Sequence, residues 1–249
     1  MRVALSKTTF ESEIVSRFGA AFNQQKSPVE VMSTGIAEVD CIIEGLPRGA
    51  VTEIFGPPSS GRTSFMLSVL ARAATNKEVC ALIDTSDVFD PISAAAMRLD
   101  LDQLLWIRCA ANIEHAFKAT DLLLQGGGFG LVLLDLGDVA GKDVRRIISS
   151  WWYRFRRTVE NTPTALVVIA TDSCVRSCAS LTLELSKDTD IWSTPGQRLP
   201  INFKSAFPEL PLQTTHANLL TGMKVQLDRH RPLHSGERSA HFKATANQA

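Results

Sequence analysis

The sequence has no excess of charge of either sign: 26 Lys and Arg stand against 26 Asp and Glu, for a net charge of zero. That excludes a polybasic protein holding nucleic acid by bulk charge and leaves room only for local basic patches. No apolar run approaches about 18 residues, so no membrane helix is expected. Residues 1–10 lack a basic stretch followed by an apolar one, so no secretory leader is expected. Cysteine is scarce, with Cys41, Cys80, Cys109, Cys174 and Cys178 odd in number and widely spread. Cys174 and Cys178 are the one close pair, and neither a second pair nor a histidine completes a zinc site. Cys80 lies in an apolar run and reads as a small buried hydrophobe. A reducing cytoplasm is the setting these features lead one to expect.

What is present is a globular composition: 249 residues, 45% hydrophobic and 21% charged. Such a chain can bury a core without disulfides or a structural metal. Residues 8–22 carry Ile14, Val15, Phe18 and Phe22 at helical spacing, which predicts a short amphipathic helix. The helix could pack on its own chain or on a neighbour, across the polar break 23–28. Beyond it, apolar runs predict strands over 51–55, 79–83, 104–109, 131–136, 165–170, 181–185 and 224–227. Helical patterns over 63–75, 92–99, 113–125 and 141–159 fall between them. Strands that are apolar throughout are covered on both faces, and the alternation predicts an α/β fold with a mostly parallel sheet and helices on both sides.

The expected organisation is an N-terminal helix and linker over 1–27, a core over 28–227 and a basic tail over 228–249. Within the core, Pro195, Pro200, Pro208 and Pro211 mark 188–222 as a long insertion. Trp192 and Phe203 in that insertion are candidates for partner contact.

The most informative stretch runs from Val51 through Gly56-Pro57-Pro58-Ser59-Ser60-Gly61-Arg62-Thr63-Ser64. Strand, glycine-bounded loop and helix follow in the order that a phosphate-binding P-loop requires. Such a loop aims successive backbone N–H groups at phosphate oxygens, and the helix dipole adds to the attraction. Gly56 and Gly61 hold the glycine positions and Thr63 the hydroxyl position. The lysine position is Arg62. Lysine there acts as a slim point charge on the terminal phosphates, and a planar, bulkier guanidinium does not replace it in a tight site.

In these features the chain resembles the RecA recombinase family, over residues 14–227. Ser33-Thr34-Gly35, Val39-Asp40 and Gly45-Leu46-Pro47-Arg48-Gly49 match the family's lead-in. Gly56-Pro57, Ser59-Ser60-Gly61 and Thr63 match its P-loop. Ile83-Asp84 with Asp90-Pro91-Ile92 match the segment after its second strand, and Leu133-Leu134-Asp135 its Walker B strand. The resemblance implies a RecA-like P-loop core and a nucleotide held by Gly56, Pro57, Ser59, Ser60, Gly61, Arg62, Thr63, Ser64 and Asp90. It implies Thr63 and Asp135 on a magnesium ion, with ATP or ADP as the cofactor.

The departures are as telling as the matches. The family's catalytic Glu falls at Ser86, which cannot serve as the same general base. Its adenine-stacking aromatic falls at Ser93, its terminal-phosphate sensor Gln falls near Thr171, and its DNA-binding loop is cut to residues 171–180. Losses on this scale resemble those of the ImuA-type accessory proteins of bacterial SOS mutagenesis. That likeness implies protein partners in a translesion polymerase cassette, little or no ATPase activity, and an accessory role in DNA repair. The alternatives are an active ATP-dependent recombinase or DNA-stimulated ATPase, and an SOS-linked inhibitor of cell division.

Two basic surfaces are candidates for DNA or partner contact. The pattern over 143–160 reads as one helix with Val144, Ile147, Ile148, Trp151, Phe155 and Val159 along an apolar stripe, and Arg146, Arg154 and Arg157 pointing elsewhere. It is either a core helix with a solvated basic back or a surface for single-stranded DNA or a protein. Arg229 and Arg231 close the last predicted strand. Either they are a polar strand end or, as the resemblance implies, they reach the nucleotide of a neighbouring subunit, so self-association stays open.

Overall fold

The computed structural model describes residues 30–192, 220–232 and 238–245. All but Glu30 belong to one compact unit that begins at Val31. The predicted helix over 8–22 and Phe203 lie outside the described residues.

The chain runs β1 (Val31–Met32), α1 (Ala37–Ile43), β2 (Leu46–Pro47), β3 (Ala50–Phe55), α2 (Arg62–Thr75), β4 (Cys80–Asp84), α3 (Pro91–Ala96), β5 (Leu104–Arg108), α4 (Ile113–Gly126) and β6 (Leu131–Leu136). It continues through α5 (Gly141–Val144), α6 (Ser149–Val159), β7 (Ala165–Ala170), β8 (Leu181–Trp192), β9 (Leu220–Arg231) and β10 (Ser239–Thr245). Among the described residues an eight-stranded sheet has the order β10-β9-β8-β3-β7-β6-β4-β5. From β8 to β5 every neighbouring pair is parallel, while β8–β9 and β9–β10 are antiparallel. The fold is thus the expected α/β core with a mostly parallel sheet.

The sheet separates two apolar cores, which explains the unbroken apolar runs. Leu131 and Leu133 of β6, with Ala165, Val167 and Ile169 of β7, face the side packed by Phe65, Met66, Val69 and Leu70 of α2. Val132, Leu134 and Leu136, with Leu166, Val168 and Ala170, face Ala116 and Phe117 of α4 and Trp152 and Phe155 of α6. Two-residue alternation places successive side chains on opposite cores.

The lead-in motif is a clamp. Asp40 accepts from Ser33 Oγ at 2.6 Å and from Thr34 N and Oγ1 at 2.9 and 2.8 Å. Ser68 Oγ of α2 in turn donates to the Thr34 carbonyl at 3.1 Å, so the segment is tied to the helix that leaves the phosphate loop.

Three expectations are corrected. The helix expected over 141–159 is two helices, because Ile148 is extended (φ −68°, ψ 128°) and restarts the turn. Trp152 joins Phe155 and Val159 of the expected stripe in the core, whereas Ile148 is 68% exposed. The insertion expected over 188–222 is shorter, since 188–192 extend β8 and 220–222 open β9. Polar residues hide that ribbon in the sequence, yet pairing with β9 fixes it, and Lys224 meets Asp188 at 3.1 Å. The tail expected over 228–249 contains the end of β9 and all of β10. Ala240, Phe242 and Ala244 alternate inward there, so a strand lies beneath a basic composition.

Candidate functional site

The loop between β3 and α2 lies at the carboxyl end of the sheet, the edge where open α/β folds place their ligands. β3 runs between β7 and β8, with Phe55 opposite Ala170 and Glu184. Gly56 N donates to the Ala170 carbonyl at 3.3 Å. A Cβ at Gly56 would collide with the Leu185 carbonyl, and one at Gly61 would stand 2.6 Å from Val225 Cγ2. Gly61 is left-handed at φ 93°, so conformation and close approach both require glycine there. No side chain caps the amino end of α2, and Ser60 Oγ is buried with no hydrogen-bond partner.

Arg62 is buried, at 9% exposure, and reaches the carboxyl ends of β6 and β7. Its Nη1 donates to the Gly137 carbonyl at 3.0 Å and to Thr171 Oγ1 at 3.4 Å. Thr171 Oγ1 also donates to the Gly137 carbonyl, at 2.8 Å. The guanidinium therefore ties α2 to the carboxyl ends of β6 and β7. Asp135 stands at the same end, its Oδ1 accepting from Gly137 N at 2.8 Å. Burial raises its carboxyl from an ordinary 3.8 to about 6; the charges of Asp84 and Asp138 add to this, while the Gly137 N–H and Arg62 oppose it.

Asp84 pairs in register with Asp135 across β4 and β6. It is buried and accepts from Val88 N at 3.1 Å, Phe89 N at 3.0 Å and Trp106 Nε1 at 3.2 Å. These bonds shape the turn that contains Ser86. Asp90 caps α3 by accepting from Ile92 N and Ser93 N at 3.1 and 3.0 Å, and from Ser93 Oγ. Those bonds, led by the Ser93 hydroxyl, hold its carboxyl below the usual range.

Thr63 and Ser64 line a cleft of about 910 Å³. Its other walls bring Ile92, Ser93 and Met97 together with Lys224 of β9 and His241 and Lys243 of β10. Sequence reasoning misses these last three as site residues, because they line one wall only once β9 and β10 are paired. Glu53 was missed as well. This wholly buried acid of β3 accepts from Ser173 Oγ at 2.9 Å, Val175 N at 2.7 Å and Cys174 N, and so pins the shortened connection 171–180. A lone acid inside the apolar run 51–55 was the available signal.

Residues 3–143, more than half of the chain, match the RecA N-terminal domain. The chain belongs to the RecA family. Members of this family bind ATP with magnesium, and the side chains can be tested against that ion. Magnesium requires near-octahedral oxygen ligands at about 2.1 Å and retains water. In this RecA-family core a guanidinium lies beside the Walker B acid, and one oxygen of that acid is taken by a backbone N–H. Thr63 is exposed at the start of α2, and only Oδ1 of Asp135 is engaged, so these two are the groups that would hold the ion, with water and phosphate oxygens completing its shell. For the phosphate itself, the buried Ser60 hydroxyl without a partner and the uncapped start of α2 are features that an anion would satisfy.

The basic residues divide between two places. Arg229 Nη1 donates to the Ile42 carbonyl at 2.8 Å, and Arg231 Nη1 to the carbonyls of Arg176 and Ala179 at 3.3 and 3.5 Å. Arg154 forms a bidentate pair with Asp121 of α4, both bonds 2.6 Å. Arg146 meets Asp143, and Arg145 meets Asp172, each at 3.5 Å. Arg157 is exposed and has no hydrogen bond or ion pair among the described residues. Asp121 and Asp172 come from other parts of the chain and Asp143 from the same segment, so this face is less positive than its arginines alone suggest. No helix among the described residues is long and apolar enough to cross a membrane.

Proposed function

We propose that this RecA-family core does not turn over ATP and acts by binding partners, as an accessory protein of the ImuA type in SOS mutagenesis. The observation that carries this reading is the Arg62 guanidinium bonded to Gly137 and Thr171. Thr171 falls where the family resemblance places the reader of the terminal phosphate, so the arginine head is bonded to the residue that would sense that phosphate. Ser86 leaves the site without a base to activate water. With both elements of hydrolysis gone and the scaffold intact, the remaining use of the core is as a binding surface. Its partner is a translesion polymerase or a protein of the same cassette, and single-stranded DNA is a second ligand to test through Arg157.

The test compares ATP turnover of the unaltered protein, Arg62→Lys, and Arg62→Lys with Ser86→Glu, each with and without single-stranded DNA. Background turnover is expected for the first two proteins. Turnover by the unaltered protein that DNA stimulates would overturn the reading in favour of an active recombinase. Pull-down of a translesion polymerase from damaged cells is the expected partner result. Capture of a cell-division protein instead would support the inhibitor alternative.

A further inference from the structure

We propose that the groove between α4 and the start of α6 docks a protein partner through a bulky apolar side chain flanked by carboxylates. This deepens the partner-binding reading above and rests on it.

The groove has a volume of about 360 Å³, with Phe117 of α4 and Trp151 of α6 as its floor. Phe117 is clamped by the rings of Trp151, Trp152 and Phe155, at 5.8, 5.0 and 5.4 Å between centroids. A floor packed in this way is set before any ligand arrives, which lowers the entropy lost on binding. Ile113 and Ile147 form the walls, and Ile148 stands at the mouth, 68% exposed. Single exposed apolar residues are ordinary, but this one borders an apolar hollow. Its extended backbone interrupts the helical line there.

Charge at the rim selects the occupant. The side chains of Arg145 and Arg146 are exposed, at 68% and 79%, and meet Asp172 and Asp143 only at 3.5 Å. Pairs as exposed as these hold little energy and yield to a competing carboxylate. The other rim acid, Glu114, is taken by Lys118 at 2.7 Å. Lys142 adds a further exposed cation in the same segment. No side chain caps the amino end of α6, so its dipole adds to the positive field. An apolar anchor with an acid within one turn of it therefore satisfies both the hollow and the rim. A second copy meeting this face with its own would set Arg145 and Arg146 against themselves, and like charges in contact repel. A nucleobase would leave its polar edge unmet against isoleucine walls.

The experiment selects peptides from a random displayed library on the full chain, then titrates fluorescent synthetic copies of the enriched peptides by anisotropy. Those peptides are expected to carry Leu, Phe or Trp with Asp or Glu close by. Ile148→Asp should weaken their binding about tenfold or more. Arg145→Glu with Arg146→Glu should weaken it as much, and binding should return when lysines replace the acids of the peptide. All three positions are exposed, so the variants keep the fold, which circular dichroism checks. A library that yields no peptide, or peptides indifferent to Ile148→Asp or to the charge reversal, overturns the inference. Self-association of the pure chain that Ile148→Asp abolishes would assign the groove to a second copy, and retention of single-stranded DNA that it abolishes would assign it to nucleic acid; either result also overturns the inference. Capture of a translesion polymerase undiminished by Ile148→Asp would sink this inference alone, whereas DNA-stimulated turnover by the unaltered protein would sink the reading beneath it.

Discussion

Arg62 Nη1 and the carbonyl oxygen of Gly137, 75 positions apart in the chain, are joined by a buried hydrogen bond of 3.0 Å. The bond turns the residue at the lysine position of a phosphate loop into a brace between a helix and two strand ends. A charged donor in a buried hydrogen bond contributes more than a neutral one.

Arg62→Ala removes that brace, leaves the Gly137 carbonyl with Thr171 alone, and strips Asp135 of its nearby positive charge. The expected cost is about 2 kcal/mol, or roughly 5 °C in Tm for a chain of this size. Thermal unfolding of the purified variant measures it, and an unchanged Tm would mean that the arginine braces nothing.

Glu53→Ala strands the N–H groups of Cys174 and Val175 in a buried place. An unmet buried donor costs about 1–3 kcal/mol, so a loss of about 3 kcal/mol is expected from the pair. Glu53→Gln keeps an acceptor and should lose less. Urea unfolding of the two variants gives the order, and equal losses would show that the hydrogen bonds to 173–175 carry no weight.

Asp135 gives a pH signature. Its native carboxyl titrates near 6, raised chiefly by burial, against an ordinary 3.8. Below about pH 4 it is protonated in both states and costs nothing. Between about 4 and 6 the unfolded chain ionises while the native state keeps its proton, so stability falls as pH rises. Above about 6 the penalty is constant, at most about 3 kcal/mol. Asp135→Asn should therefore stabilise the protein near pH 7.5 and not near pH 4. A gain of equal size at both values would remove the titration from the explanation.

The thiols divide by burial. Cys41 is exposed, whereas Cys80 and Cys174 are buried. Burial, with the Glu78 charge adding, pushes the Cys80 thiol up to about 12, and burial with the Glu53 charge raises Cys174 as well. Since the thiolate is the reactive form, iodoacetamide near pH 8 should label Cys41 in the folded protein and reach Cys80 and Cys174 only after denaturation. Peptide mass spectrometry locates the label. Rapid modification of native Cys174 would contradict the packing of residues 171–180.

Features that depend on neighbours in sequence were legible without the fold. The apolar runs over 131–136 and 165–170 could only be strands covered on both faces. The spacing of Gly56 and Gly61 ahead of Thr63 marked the phosphate loop, because a tight strand-to-helix turn imposes local backbone demands. The alternation of Ala240, Phe242 and Ala244 is equally local, but it stands within a basic stretch whose composition reads as tail. Of the stripe over 144–159, Val144, Ile147, Trp151, Phe155 and Val159 pack into one core, and Ile148 alone stands out, because its extended backbone interrupts the helix there.

By itself, then, the sequence determined the layered α/β core, the phosphate loop and the loss of its lysine. Only the tertiary structure decided where Arg62 goes, which distant acids neutralise Arg145 and Arg154, and that Lys224 and Lys243 share a cleft with Thr63. Each of these depends on groups far apart in the chain: Gly137 for Arg62, Asp121 for Arg154, and β10 for the cleft. Charge and hydrogen bonding act through space over a few ångströms, and a sequence records distance only along the backbone.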